Sequence, residues 1–140
     1  MKSNYLKLLP ACLLLIFSSC KKEAGEGRQS FIKGKVYADY YDKNFYAHTD
    51  SKYAVDVDVY IIYGEDISHG DHQKTSFDGS YEFKYLRKGK YKIYAFSKDT
   101  TGLYINQAKK YAPEKEVIES VEITKNKQTI EVPNLEIIIQ

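Results

Sequence analysis

The sequence predicts an all-β domain, an Ig-like antiparallel β-sandwich of about seven strands. Three observations carry this. Apolar and polar residues alternate with period two through most of the chain after Phe31, most clearly in Val55–Tyr63 (VDVDVYIIY). Turn signals, above all Asp78-Gly79 and Arg87-Lys88-Gly89, separate the alternating runs. No segment longer than a turn or two carries a helical repeat. With 43% hydrophobic and 29% charged residues the composition is that of a globular protein, and 140 residues leave room for one domain.

The chain opens on a targeting segment. Lys2 and Lys7 precede an uncharged run, Leu8–Phe17 (LLPACLLLIF). That run is about half of the ~20 apolar residues a spanning helix needs, and Pro10 interrupts it, so it reads as a secretory signal peptide. Phe17-Ser18-Ser19-Cys20 resembles the lipobox of bacterial lipoproteins, in which small residues precede a cysteine. The resemblance implies that Cys20 becomes the first mature residue, diacylated on sulfur and acylated on its amine. Several acyl chains anchor stably where one holds only reversibly. No aspartate follows Cys20, so the outer membrane is the expected location, on its periplasmic or its surface face. The expected partition is a signal peptide over 1–19, a flexible tether over 20–30 and a sandwich over 31–140. The Gly-rich, polar stretch Ala24–Ser30 supports the tether. Lys21-Lys22-Glu23 is read either as solvated tether or as an export tag. Losing Lys2 and Lys7 brings the 21 basic residues level with the 19 acidic ones.

The strands follow in order. In Phe31–Ala38, Ile32, Val36 and Ala38 share one face. In Val55–Tyr63, Val55, Val57, Val59 and Ile61 alternate with Asp56, Asp58, Tyr60 and Ile62, and the β-branched residues disfavour helix. His72–Phe77 and Ser80–Tyr85 flank Asp78-Gly79 as a hairpin, and Lys90–Ser97 returns after Gly89. Glu116–Thr124, Gln128–Val132 and Leu135–Ile139 complete the set, with Pro133 ending the second of these. Asn106–Tyr111 is assigned one short helical turn.

Phe31-Ile32-Lys33-Gly34-Lys35-Val36 resembles the first strand of carboxypeptidase regulatory-like domains, a family of transthyretin-like sandwiches. Ala54–Val59 is similar to that family's second strand, and Thr75–Phe83 to its third-to-fourth hairpin. Leu86, Gly89, Tyr91, Ile93 and Ala95 are similar to the segment after it. The resemblance implies an accessory or adhesive module rather than catalysis. Two departures stand out: a longer, aromatic-rich connection from Asp39 to Tyr53, and Ser76 where many members carry an acid.

That connection holds Tyr40, Tyr41, Phe45, Tyr46 and Tyr53. These rings either form a binding surface for protein or sugar, or fold back to cap a small core. Among the three histidines, His69-Gly70-Asp71-His72 lies in a polar loop with Glu65 and Asp66, so His69, Asp71 and His72 form a candidate metal set. Strand alternation puts His48 at the opposite end. Lys84, Arg87, Lys88, Lys90 and Lys92 interleave with Phe83, Tyr85, Tyr91 and Tyr94. Outside the cell this reads as one sheet with rings inward and lysines outward, and no nucleic-acid partner is expected.

No His-x-x-Glu pair, nucleophile elbow, P-loop or dinucleotide fingerprint occurs. Cys12 leaves with the signal peptide and Cys20 takes lipid, so no thiol nucleophile remains. The expectation is a non-enzymatic, lipid-anchored envelope sandwich that binds protein or glycan, without a cofactor. The alternative is a small-ligand or metal-binding lipoprotein using the His69-Asp71-His72 loop.

Overall fold

A computed structural model describes residues 23–101 and 112–140. Cys20, the signal peptide and the helical turn expected at Asn106–Tyr111 lie outside the described residues. The strands are β1 (Glu26–Tyr41), β2 (His48–Tyr53), β3 (Asp58–Tyr63), β4 (Asp71–Lys74), β5 (Ser80–Leu86), β6 (Gly89–Lys98), β7 (Glu114–Ile123), β8 (Thr129–Glu131) and β9 (Leu135–Ile139). They form two facing sheets, a β-sandwich with nine strands rather than seven.

β1 is the spine of the first sheet. Its first half pairs antiparallel with β5 and its second half with β2. On its other side it pairs in parallel with β8 and then β9, which Pro133 and Asn134 separate. The second sheet runs β4-β3-β6-β7, entirely antiparallel. The two parallel pairs depart from the expected antiparallel pattern for a connectional reason. β7 ends opposite Gly89, the chain crosses through Lys125–Lys127, and β8 sets out beside Phe31 in the direction of β1.

Period two places the core. Ile32, Val36 and Ala38 from β1 meet Val59 and Ile61 from β3 and Tyr91, Ile93 and Ala95 from β6, all buried. Each large buried side chain contributes about 1.5–3 kcal/mol by leaving water. Tyr81 and Phe83 close the core from β5, and Leu135 and Ile137 from β9.

Five expectations are corrected. Asp78-Gly79 does not close a ladder: β4 pairs with β3 while β5 pairs with β1, so the turn carries the chain from one sheet to the other. Gly79 has φ +75°, and a Cβ there would lie 2.9 Å from the Val36 carbonyl oxygen, so this crossing requires glycine. Arg87-Lys88-Gly89 crosses back in the same way. The rings expected in one sheet therefore face each other from two, Tyr81 and Phe83 across from Tyr91 and Ile93.

The strand expected from Val55 begins only at Asp58. Asp56 sits at φ 61°, which breaks the extended run and leaves Val55 exposed. The expected tether over 20–30 is ordered strand from Glu26, and the preceding Gly25 is buried. Finally, the connection from Asp39 to Tyr53 is a hairpin, with Tyr37 to Tyr41 paired against Tyr53 to His48.

A bulge resets β5. Ser30 pairs Leu86 while Ile32 pairs Phe83, so β5 holds one extra residue there. Tyr85 takes up the excess at φ 59° and points to solvent, and Leu86 turns into the core instead.

Candidate functional site

Strand parity gives the second sheet two apolar faces. Val59, Ile61, Tyr91, Ile93 and Ala95 point inward. The opposite parity holds Tyr60 on β3 and Tyr94 and Phe96 on β6. The registers Tyr60 with Tyr94, Tyr60 with His72, and Tyr94 with Ile118 bring these residues and two neighbours side by side on the outer surface. The ring of Tyr60 is the hub. It stacks on Tyr94 at 5.0 Å and 16°, and on His72 at 5.8 Å and 27°. His69 meets it edge-on at 4.9 Å and Phe96 at 5.8 Å. Tyr94 and Phe96 pack edge to face at 5.6 Å. Such pairs add about 0.5–1.5 kcal/mol beyond area burial, so the rings hold each other in place.

Phe96 and Ile118 remain 41% and 45% exposed, and Tyr94 is buried beneath its neighbours. Burial raises the Tyr94 phenol above its ordinary pKa, with the Glu116 carboxylate adding to the shift. Lys92, Glu116, Asp58 and Lys74 occupy the same outward parity, so charged groups rim the aromatic centre. Chemically, this is a pre-arranged apolar platform with polar edges. It offers stacking and hydrogen bonds, with no nucleophile and base in register.

The residues singled out in the sequence are placed differently. His69 and His72 come together, with ring centres 6.5 Å apart, but both lie against Tyr60. Asp71 pairs with inward-facing Ile61, so its carboxylate leaves from the other face of β4, where its charge acts on Tyr63. His69, Asp71 and His72 thus do not converge. Among the described residues no group of three or more His, Cys, Asp or Glu is placed to hold a metal.

The five hairpin aromatics also divide. Tyr40 faces the core side, with the Lys52 ammonium 5.1 Å from its ring centre. Phe45 is buried, and Tyr41 packs against it at 5.9 Å. Tyr53 sits edge-on to Tyr37 at 5.4 Å, beneath the Lys35 ammonium. Tyr46 is 75% exposed on the hairpin tip. Capping describes Tyr40 and Phe45, and no shared platform unites the five.

The same hairpin collects Ser51, His48 and Asp39. Ser51 Oγ donates to Asp39 Oδ1, and His48 Nε2 lies 2.7 Å from Ser51 Oγ and 3.6 Å from Asp39 Oδ1. One imidazole nitrogen faces both partners. A nucleophilic relay needs the ring between them, one nitrogen to each, so the serine proton here belongs to the aspartate.

Sequence reasoning missed the Tyr60 platform. A signal was present: KYKIYAFS is aromatic or apolar in both parities, which a half-exposed strand does not need.

No family model matches the chain, and no curated protein matches it significantly. Among solved structures, the chain is similar to a candidate carbohydrate binding protein from Pseudomonas aeruginosa. The two share 11% identity at a TM-score of 0.46, over 79% of this chain and 92% of that one.

Proposed function

We propose that this protein is a non-catalytic, lipid-anchored envelope module that binds glycan on the outer face of its second sheet. The anchor is Cys20, in the expected position of the outer membrane. The observation that carries the binding assignment is the Tyr60 hub, with Phe96 and Ile118 exposed beside it. Exposed apolar surface rimmed by polar residues marks interaction sites on soluble domains. The exposed Phe96 and Ile118 present apolar area to the C–H faces of a sugar, while Tyr60, His72, Lys92 and Glu116 supply donors and acceptors for hydroxyls. Rings already fixed by one another lose little rotamer freedom on binding.

Affinity electrophoresis through gels containing neutral polysaccharides tests this reading. At least one polysaccharide is expected to retard the protein. Tyr60→Ala and Phe96→Ala are expected to abolish the retardation, whereas Tyr46→Ala on the hairpin tip leaves it unchanged. Retardation by none of a broad panel would refute the glycan assignment and favour a protein ligand for the same face. The anchor is tested separately by the intact mass of the membrane-extracted protein, which should carry acyl chains that Cys20→Ser lacks.

A further inference from the structure

The described residues begin three positions after Cys20. Gly25 N donates to the Tyr91 hydroxyl at 3.0 Å, and Gly25 O accepts from Arg87 N at 2.8 Å. The Tyr91 hydroxyl in turn donates to Arg87 O at 2.7 Å. Ala24 packs against Gly89 so closely that a Cβ on Gly89 would lie 2.7 Å from the Ala24 Cβ. The N-terminal segment is thus clamped onto the β5–β6 turn. From Cys20 to Ala24 is four residue steps, a reach of at most about 14 Å. The end of the sandwich that carries this clamp therefore cannot leave the vicinity of an acylated Cys20.

That end carries unpaired cations. Arg28, Arg87 and Lys88, with Gly27 and Asn126, line a cleft of about 440 Å³ that has no carboxylate in its wall. Arg87 is held over Gly27, where a Cβ would lie 3.0 Å from its guanidinium. Lys125 and Lys127 stand on the adjoining turn. None of these five cations forms an ion pair among the described residues. The contrast is a second cleft of about 740 Å³ lined by Lys33, Lys35, Lys74 and Lys84. There every lysine has a carboxylate within 3.1 Å. Of the other acids at the clamped end, Glu23 precedes Ala24, Glu65 and Glu122 line a separate cleft on the second sheet, and Glu26 is engaged with Tyr63.

We infer that the Arg28–Arg87–Lys88 flank is a membrane-docking surface for the phosphates of anionic phospholipid in the bilayer that holds Cys20. This rests on the anchor of the proposed function. Unpaired arginines suit phosphate oxygens, and the short tether lets them come within a Debye length, ~8–10 Å, of the headgroups, where their charge is not screened. Docking on this flank, which belongs to the first sheet and its turns, leaves the aromatic face of the second sheet open to its ligand.

The test uses residues 20–140 with Cys20→Ser, which contains every described residue and cannot be acylated. Binding is measured by co-sedimentation with phosphatidylcholine vesicles, with and without phosphatidylglycerol. Binding is expected only with phosphatidylglycerol, and to weaken with added salt. Arg28→Glu/Arg87→Glu/Lys88→Glu should reduce it at least tenfold, at about 1 kcal/mol per basic residue near an anionic surface. Lys88→Glu/Lys127→Glu, confined to exposed turns, should reduce it severalfold with an unchanged melting curve. Lys33→Glu/Lys35→Glu/Lys84→Glu makes the same charge change in the paired cleft and should leave it intact. Equal binding by all three variants, or equal binding to neutral vesicles, would overturn the assignment. So would saturable binding of inorganic phosphate alone that displaces the vesicles, which would make the cleft a free-anion site. Failure of the anchor is distinguishable: Cys20 of the membrane-extracted protein would then lack acyl mass while charge-dependent vesicle binding persists.

Discussion

Three buried polar side chains, Ser30, Thr75 and Ser97, each tie backbone of segments distant in sequence. Ser30 Oγ accepts from Gln128 N at 3.1 Å, fixing the turn that leads from β7 to β8. Ser97 Oγ accepts from Ile138 N at 2.9 Å and so ties β9 to β6 across the sandwich. Thr75 does most. Its hydroxyl donates to Ala54 O at 2.7 Å and accepts from Val57 N at 2.9 Å, spanning the break that Asp56 makes before β3. Thr75→Val keeps the shape and strands both backbone groups. A buried group left unpaired costs about 1–3 kcal/mol, so a loss of about 3 kcal/mol is expected. Urea unfolding checks it: the midpoint should fall with the slope unchanged. A loss well under about 1 kcal/mol would mean that the 54–57 segment finds other partners. Gly34 is a second sensitive position, because a Cβ there would lie 2.5 Å from the Tyr81 hydroxyl oxygen. Gly34→Ala should destabilise by about 1–3 kcal/mol through overpacking, read from the same midpoint.

At the scale of elements, β1 is really two strands end to end, and its first turn of chain depends on a single phenol. Tyr91→Phe removes the acceptor of Gly25 N and the donor to Arg87 O while leaving the ring packed beside Tyr63. Hydrogen exchange should show Gly25 and its neighbours losing protection while the Ile32–Ala38 amides keep theirs. Simultaneous loss across β1 would instead make the clamp part of the global unfolding unit. The elements also show what was legible in the sequence. Period two located the inward faces of β1, β6 and β7, because the facing sheet buries them, and β9 was legible as an apolar run. It did not reveal which strands pair. Asp78-Gly79 marks a reversal whether it closes a ladder or crosses between sheets, and only the positions of β1 and β3 decide between those. Nor did it reveal Tyr85, since a bulge forms where Leu86 must reach the core and not where a particular residue occurs. The platform was hidden for a related reason. Tyr60, the Tyr94–Phe96 pair and Ile118 lie on three strands far apart in sequence, and only the registers of β3, β6 and β7 make them one surface.

For the whole molecule, stability against acid is governed by carboxylates whose partners are lost on unfolding. Asp78 is the clearest. Its Oδ1 accepts from Ser80 Oγ at 2.6 Å and Ser80 N at 3.1 Å, and its Oδ2 faces Lys35 Nζ at 3.1 Å. Hydrogen bonds from Ser80 first, then Lys35, hold its pKa down to about 2 against an ordinary 3.8. Asp99 is lowered by its bonds to Thr101, and Asp50 chiefly by Lys52. Because the folded-state pKa lies below the unfolded one, the unfolded chain binds more protons on the acid side. The stabilisation is complete above about pH 4 and is lost as pH falls through about 2. All three groups lie at the surface, so salt should shrink the effect. Urea midpoints measured from pH 6 down to pH 2 should therefore decline along this limb, and Asp78→Asn should flatten it while lowering the neutral plateau. An acid limb of the same steepness in the variant would show that the Asp78 turn, although it joins the two sheets, does not set the pH dependence of the fold.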